Sequence, residues 1–246
     1  MEEKNSDLRS LAASWKKTLK LPGKPNEWEV KQLLSSVGIA TPPGIVSPPD
    51  EPTGAAARRV PAFPCVAKVC SGELIHKTEK GGVVVGIAEC EAAEALDELR
   101  ARFPHDDILI EEMVSYGGFE FILGALEDLT FGPAIMVGAG GVLTELYRDV
   151  TFRLAPCSKR EALRMVGELR IHPVLEGYRN IYMEVEPFAE IIEKISLLAE
   201  IFVPGGNELD INPIVWAQNN TAKNNTGQNN RGPRWIALDA KAVLDS

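Results

Sequence analysis

The chain has 246 residues with 35 acidic and 26 basic side chains, and its net charge of -9 argues against non-specific nucleic-acid binding. With 45% hydrophobic and 25% charged residues it has a globular rather than a disordered composition, long enough for one elaborate domain or two small lobes. The opening MEEKNSDLRS is polar and no later stretch approaches the roughly 18 apolar residues of a membrane helix, so a cytoplasmic protein without a membrane or nucleic-acid partner is expected.

Residues 1–25 read as a polar extension with a single loose helix, ending at the Pro22-Gly23 breaker. Asn26 is placed to cap a helix through Val37, because Val30, Leu33, Leu34 and Val37 recur at helical spacing and Gly38 supplies the stop. From Pro61 the pattern turns to strands, at Cys65 to Cys70, Val83 to Ala88, Ile108 to Val114, Phe119 to Leu126 and Ala134 to Val137. A helix from Glu91 to Phe103 lies between the second and third. Helical spacing returns over Lys159 to Arg170 and Pro187 to Phe202, before extended segments at Glu208 to Trp216 and Trp235 to Leu238. Many strands with few helices between them predict an α+β protein with mixed or antiparallel sheets. The Asn-rich segment Gln218 to Arg231 buries too little apolar area to order itself and reads as a mobile insert. Cys65, Cys70, Cys90 and Cys157 form no C-x-x-C pair and read as reduced thiols.

Several positions carry possible chemistry. Lys68 stands amid apolar neighbours on a strand, where a buried ammonium needs an anionic partner, although an edge-strand lysine can also snorkel to water. The loop after it holds His76 and ends in Gly81-Gly82, which can bring backbone N–H groups against phosphate oxygens or simply close a hairpin. Glu112 sits where a strand meets a turn and Glu120 opens the next strand, positions open to a cleft role or to plain solvation. In Glu208-Leu209-Asp210-Ile211-Asn212-Pro213 the period of two puts Asp210 and Asn212 on one face, and Asp239 lies between apolar residues. Such oxygens suit a hard cation, with a structural hydrogen-bonded pair as the competing reading.

In order along the chain these segments include Gly38-Ile39-Ala40-Thr41-Pro42-Pro43-Gly44, Ala67-Lys68-Val69, Ile75-His76-Lys77 with Gly81-Gly82-Val83, and Glu112-Met113-Val114. Phe131-Gly132-Pro133, Gly138 to Gly141, Leu209-Asp210-Ile211-Asn212-Pro213 and Ala237-Leu238-Asp239-Ala240 follow. Together they resemble the ATP-grasp β subunits of ADP-forming acyl-CoA synthetases, relatives of the succinyl-CoA synthetase β chain. The resemblance implies an ATP-grasp fold from residue 26 to 246, two lobes around a nucleotide cleft, with the smaller lobe near 61–114. It implies a catalytic, phosphorylated His76 on a loop that moves between two sites, where Glu73, Lys77, Glu79 and Lys80 would serve mobility and solvation, and Mg2+ held by Asn212 and Asp239. Nucleotide contacts would come from Lys68, Gly81, Gly82, Glu112, Met113, Val114 and Glu120, with ATP or ADP as substrate. It further implies an α subunit that binds CoA and carries a second phosphorylated histidine, in an α2β2 assembly. A nucleotide-sensing regulatory subunit of the same fold without phosphoryl transfer is the alternative; it would have no need of His76, Asn212 or Asp239.

Overall fold

A computed structural model of the chain describes residues 2–21, 23–74, 77–141, 148–178, 181–217 and 232–244. Helix α1 (Glu2–Lys16) and helix α2 (Glu27–Ser36) precede strand β1 (Gly44–Ser47), helix α3 (Thr53–Arg58) and strands β2 (Cys65–Cys70) and β3 (Val83–Ile87). Next come helix α4 (Ala92–Arg102) and strands β4 (Asp107–Glu112), β5 (Tyr116–Asp128), β6 (Gly132–Ala139) and β7 (Val150–Leu154). Helices α5 (Lys159–Glu168), α6 (His172–Leu175) and α7 (Val185–Phe202) lead to β8 (Glu208–Ala217), β9 (Arg234–Ala237) and β10 (Ala240–Val243).

Among the described residues the strands make two sheets. One has the order β1-β4-β2-β3; the other runs β10-β8-β5-β6-β7, with β9 also pairing β8. Every ladder in both is antiparallel. This is the α+β arrangement anticipated from strands separated by few helices.

Each sheet has its own core. Ala67 and Val69 of β2 and Ile108 and Ile110 of β4 pack with Leu96 and Leu99 of α4 and Ala56 of α3. The strand period of two sends Leu109 and Glu111 to the opposite face, and both are also buried, so β4 is covered on both sides. The smaller sheet recruits β1 and α3, which lie upstream of residue 61; their short, Ala- and Gly-containing segments carry no clear periodicity.

The larger sheet packs on α7, whose Phe188, Ile192, Ile195, Leu198 and Phe202 are buried. Phe188 stacks on Trp235 with ring centroids 4.2 Å apart, and Phe121 meets both rings edge-on. Helix α2 joins this larger core through Val30, Leu33 and Leu34. Its start is held by a capping box in which the Asn26 side chain accepts from Glu29 N and the Glu29 carboxylate accepts from Asn26 N. The N-terminal helix is not loose. Ala12 and Trp15 are buried in the large core, and Trp15 Nε1 donates to the Glu29 carbonyl at 2.7 Å. The polar composition hid this docking, because two buried residues on one face suffice for it. The Asn-rich segment lies outside the described residues, as does His76.

Candidate functional site

The site forms where α2, the smaller sheet and the β9–β10 corner meet. Strand β8 pairs with β10 through Glu208 to Ile211 and with β9 through Ile214 to Ala217. Between those runs stands Pro213, which has no N–H for a ladder. There the chain crossing from β9 to β10 is held by Asn212 N to Asp239 O at 3.1 Å and Leu238 N to Pro213 O at 2.9 Å. The Leu238 carbonyl and the Asp239 carboxylate are thereby placed to meet three lysines.

Lys68 donates to Glu27 Oε1 at 2.6 Å and to the Leu238 carbonyl at 2.6 Å, with Glu111 Oε2 at 3.1 Å. Lys31, 1% exposed, donates to both Glu111 oxygens at 2.7 and 2.6 Å and to the same Leu238 carbonyl at 2.8 Å, and lies 2.7 Å from Glu27. Lys77 completes the set, paired with Glu27 and with both Asp239 oxygens, 3.0 Å from Oδ1 and 2.9 Å from Oδ2. Three ammonium groups therefore face three carboxylates, a balance that such burial demands.

The electrostatics follow from that balance. Burial opposes ionisation of Glu27, but Lys68, Lys31 and Lys77 outweigh it and hold the carboxyl well below its usual range. Burial likewise opposes the Lys68 ammonium, and the carboxylates of Glu27, Glu111 and Asp239 overrule it, holding the group charged beyond the ordinary lysine range. Asp239 goes the other way. Burial and the nearby Glu27 charge push its carboxyl up despite Lys68 and Lys77.

In front of the cluster lies a cavity of about 580 Å3 whose lining includes Glu27, Lys77, Asp210, Asn212, Asp239 and Lys241. Lys68 sits just behind that wall. Among the described residues no group of three or more His, Cys, Asp or Glu side chains makes a ready metal cage. Asp210, Asn212 and Asp239 instead present the few hard oxygens that suit Mg2+, which keeps positions for water and substrate phosphates.

The other expected contacts lie apart from this lining. Gly82 N donates to the Lys77 carbonyl at 2.6 Å, and a Cβ on Gly82 would stand 2.9 Å from that oxygen, so glycine is needed to close the turn. Gly81 has φ +68 and its carbonyl accepts from Arg102 at 2.9 Å. At the end of β4, Glu112 N and Met113 N donate to the carbonyls of Pro43 and Pro64 at 2.9 and 3.0 Å. Val114 follows them into the turn before β5. Glu120 Oε1 accepts from the Tyr116 hydroxyl at 2.6 Å, and burial, aided by that bond, pushes the phenol up to about 12.

Sequence reasoning passed over Glu27, Lys31 and Glu111, and assigned Lys77 to solvation. The structure corrects the last point, since Lys77 is an ion-paired member of the site with its side chain only 19% exposed. Glu27 and Lys31 are spaced i, i+4 on α2, a signal that was readable.

The ATP-grasp domain family model matches residues 23–223. The chain is 35% identical over 227 residues to the acetate–CoA ligase [ADP-forming] I subunit beta of Pyrococcus furiosus, with 89% of this chain and 90% of that one covered. The chain belongs to this ATP-grasp family. Within the family it is 34% identical to acetate–CoA ligase [ADP-forming] II of Archaeoglobus fulgidus, matching 76% of this chain but only 28% of that longer one. Among solved ATP-grasp structures it resembles dinucleotide-forming acetyl-coenzyme A synthetase 1 of Ca. Korarchaeum cryptofilum, in complex with coenzyme A and Mg-AMPPCP and with a phosphohistidine segment pointing towards the nucleotide-binding site. The TM-score is 0.71 at 28% identity, covering 97% of this chain and all of that one. The shared fold agrees with the two antiparallel sheets. Among the described residues no helix is long and apolar enough to cross a membrane.

Proposed function

We propose that this chain is the nucleotide-binding β subunit of an ADP-forming acyl-CoA synthetase, with acetyl-CoA the thioester suggested by the names of its relatives. It interconverts acyl-CoA, ADP and phosphate with the free acid, CoA and ATP. It works in the cytoplasm, with an α subunit that binds CoA and carries a second phosphorylated histidine, in an α2β2 assembly. The ATP-grasp domain spans residues 26–246, the smaller lobe centres on 61–114, and 218–231 is a mobile insert.

The observation that carries the reading is the cavity wall on which Lys77, the residue after His76, faces Asp239 and Asn212 with Lys68 directly behind. In the proposed mechanism the neutral His76 imidazole offers a ring nitrogen lone pair to phosphorus, and the bond from phosphorus to its former oxygen breaks as the N–P bond forms. Transfer onward to a terminal ADP oxygen breaks that N–P bond and regenerates the imidazole. Lys68, held charged by its carboxylate partners, offsets charge on the transferring oxygens. Glu112, with the backbone of Met113 and Val114, forms the adenine and ribose edge, Glu120 faces the nucleotide, and Gly81 and Gly82 let the backbone approach phosphate. Asn212 and Asp239 would hold Mg2+, which when bound neutralises phosphoryl oxygens.

The test is His76→Asn. The variant should lose acid-labile, base-stable labelling from γ-labelled ATP and lose ATP formation in the presence of the α subunit, while Mg-nucleotide binding stays near wild type. Undiminished turnover would refute the relay and favour a nucleotide-sensing subunit. Full ATP synthesis by the isolated chain would refute the subunit assignment.

A further inference from the structure

We propose that Lys77 is a positioning residue that serves as the cleft's resident counter-cation: its ammonium occupies Asp239 until a divalent cation arrives, and metal-bound nucleotide reaches Asp239 only by displacing it. This rests on the reading of Asp239 as a metal ligand.

The geometry sets Lys77 and a metal in competition for this carboxylate. The ammonium is within hydrogen-bonding distance of both Asp239 oxygens, at 3.0 and 2.9 Å, and also pairs with Glu27. A cation coordinating either oxygen at the roughly 2.0–2.1 Å of Mg2+ would meet the Lys77 charge a few ångströms away, inside a cleft that screens poorly. Lys77 is also unlike an incidental surface lysine. Its carbonyl is fixed by Gly82 N at 2.6 Å, and the side chain spans from the loop before β3 to helix α2 and to the β9–β10 corner. Lys68 and Lys31 instead direct their ammonium groups to Glu27, Glu111 and the Leu238 carbonyl.

Two consequences separate this role from others. If Lys77 competes with metal, removing its amine leaves Glu27 and Asp239 short of positive charge, so Mg2+ should bind more tightly. If Lys77 chiefly grips phosphate, its removal should weaken nucleotide binding at every Mg2+ concentration. If it is a static brace, neither should change. Because Lys77 directly follows His76 in the sequence, the exchange of ammonium for metal also links metal occupancy to the position of the proposed nucleophile's neighbour.

The experiment is calorimetric ADP binding to the full chain across a Mg2+ series, for wild type, Lys77→Met, Lys77→Arg and Asp239→Asn. The Mg2+ concentration for half-maximal ADP binding should fall about tenfold in Lys77→Met, a typical coupling between linked sites, and return towards wild type in Lys77→Arg. An unchanged or raised requirement in Lys77→Met, with wild type and Asp239→Asn still differing in Mg2+ dependence, overturns the counter-cation role and leaves the metal reading standing. Loss of that difference between wild type and Asp239→Asn overturns both. Should Lys77→Met fail to fold, wild type alone decides. Acetylation of the Lys77 amine by limiting acetic anhydride, read by peptide mass spectrometry, should accelerate several-fold on adding Mg2+, and a rate unaffected by Mg2+ overturns the proposal.

Discussion

Replacing Lys31 by Met is the sharpest test of the charge balance at the junction. Lys31 is 1% exposed and, alone among the described residues, contacts both Glu111 oxygens while also reaching Glu27 and the Leu238 carbonyl. Its loss turns three positive and three negative groups into two and three. Stranding a buried charge by deleting its partner costs about 3–5 kcal/mol, and since Lys68 still lies 3.1 Å from Glu111, the lower figure of about 3 kcal/mol is expected. For a protein of this size that corresponds to a fall in Tm of about 6–12 °C. The double variant Lys31→Met/Glu111→Leu restores two against two and should regain about 2 kcal/mol of the loss, since a buried pair exchanged for apolar side chains is often neutral. Urea unfolding of wild type, both single variants and the double variant gives the coupling energy. A Lys31→Met variant within about 0.5 kcal/mol of wild type, or a double variant that loses the sum of the two singles, would refute the account.

The cluster also sets a pH signature. Glu27 is held below its ordinary 4.5, so its contribution is complete above that value and declines as pH falls. Lys68 is held above its ordinary 10.5, so its contribution is complete below that value and declines as pH rises. Glu27→Gln should therefore be clearly less stable than wild type near pH 7, with the gap narrowing by about pH 3, and a gap that widens in acid would contradict the sign. At Gly44, paired with Glu111 across β1 and β4, a Cβ would come 2.8 Å from Glu111 Cγ and 2.9 Å from the Ile110 carbonyl. Gly44→Ala should then cost about 1–3 kcal/mol in urea unfolding, and a neutral result would show that Glu111 can shift freely. Burial pushes the thiols of Cys65 and Cys70 up to about 11 and 12 and raises that of Cys157, whereas Cys90 is exposed. Iodoacetamide at neutral pH should give one adduct on the folded chain, at Cys90, and mass spectrometry showing adducts at the buried cysteines would count against their packing.

Periodicity made much of this architecture legible. The β2 boundaries coincide with the expected Cys65 to Cys70, and α7, β5 and β8 differ by a few residues at their ends. The short elements β1, β7 and β10 were not legible, because four or five residues such as Gly44–Ser47 or Ala240–Val243 show no period of their own and exist through pairing with β4 and β8. At the site, Lys68 was picked because an ammonium on an apolar strand demands a partner, and the partner remained unknown because it comes from 41 residues away in sequence. On β4 the sequence reading singled out Glu112 and passed over the adjacent Glu111. Whether Glu111 or Glu112 turns inward depends on both faces of that strand being covered, a fact of tertiary packing.

The Leu238 carbonyl ties these regions together in one further way. It accepts from Lys31, on a helix that packs with the larger sheet, and from Lys68, on the smaller sheet. One oxygen at the β9–β10 corner is thus a mechanical pin through three parts of the molecule. If the sheets rock about that pin, cleft width can vary while the corner stays put, because atoms near a pivot travel least. Asp239, the next residue, would then keep nearly the same place in open and closed forms, as a fixed datum against which an incoming nucleotide can be gauged.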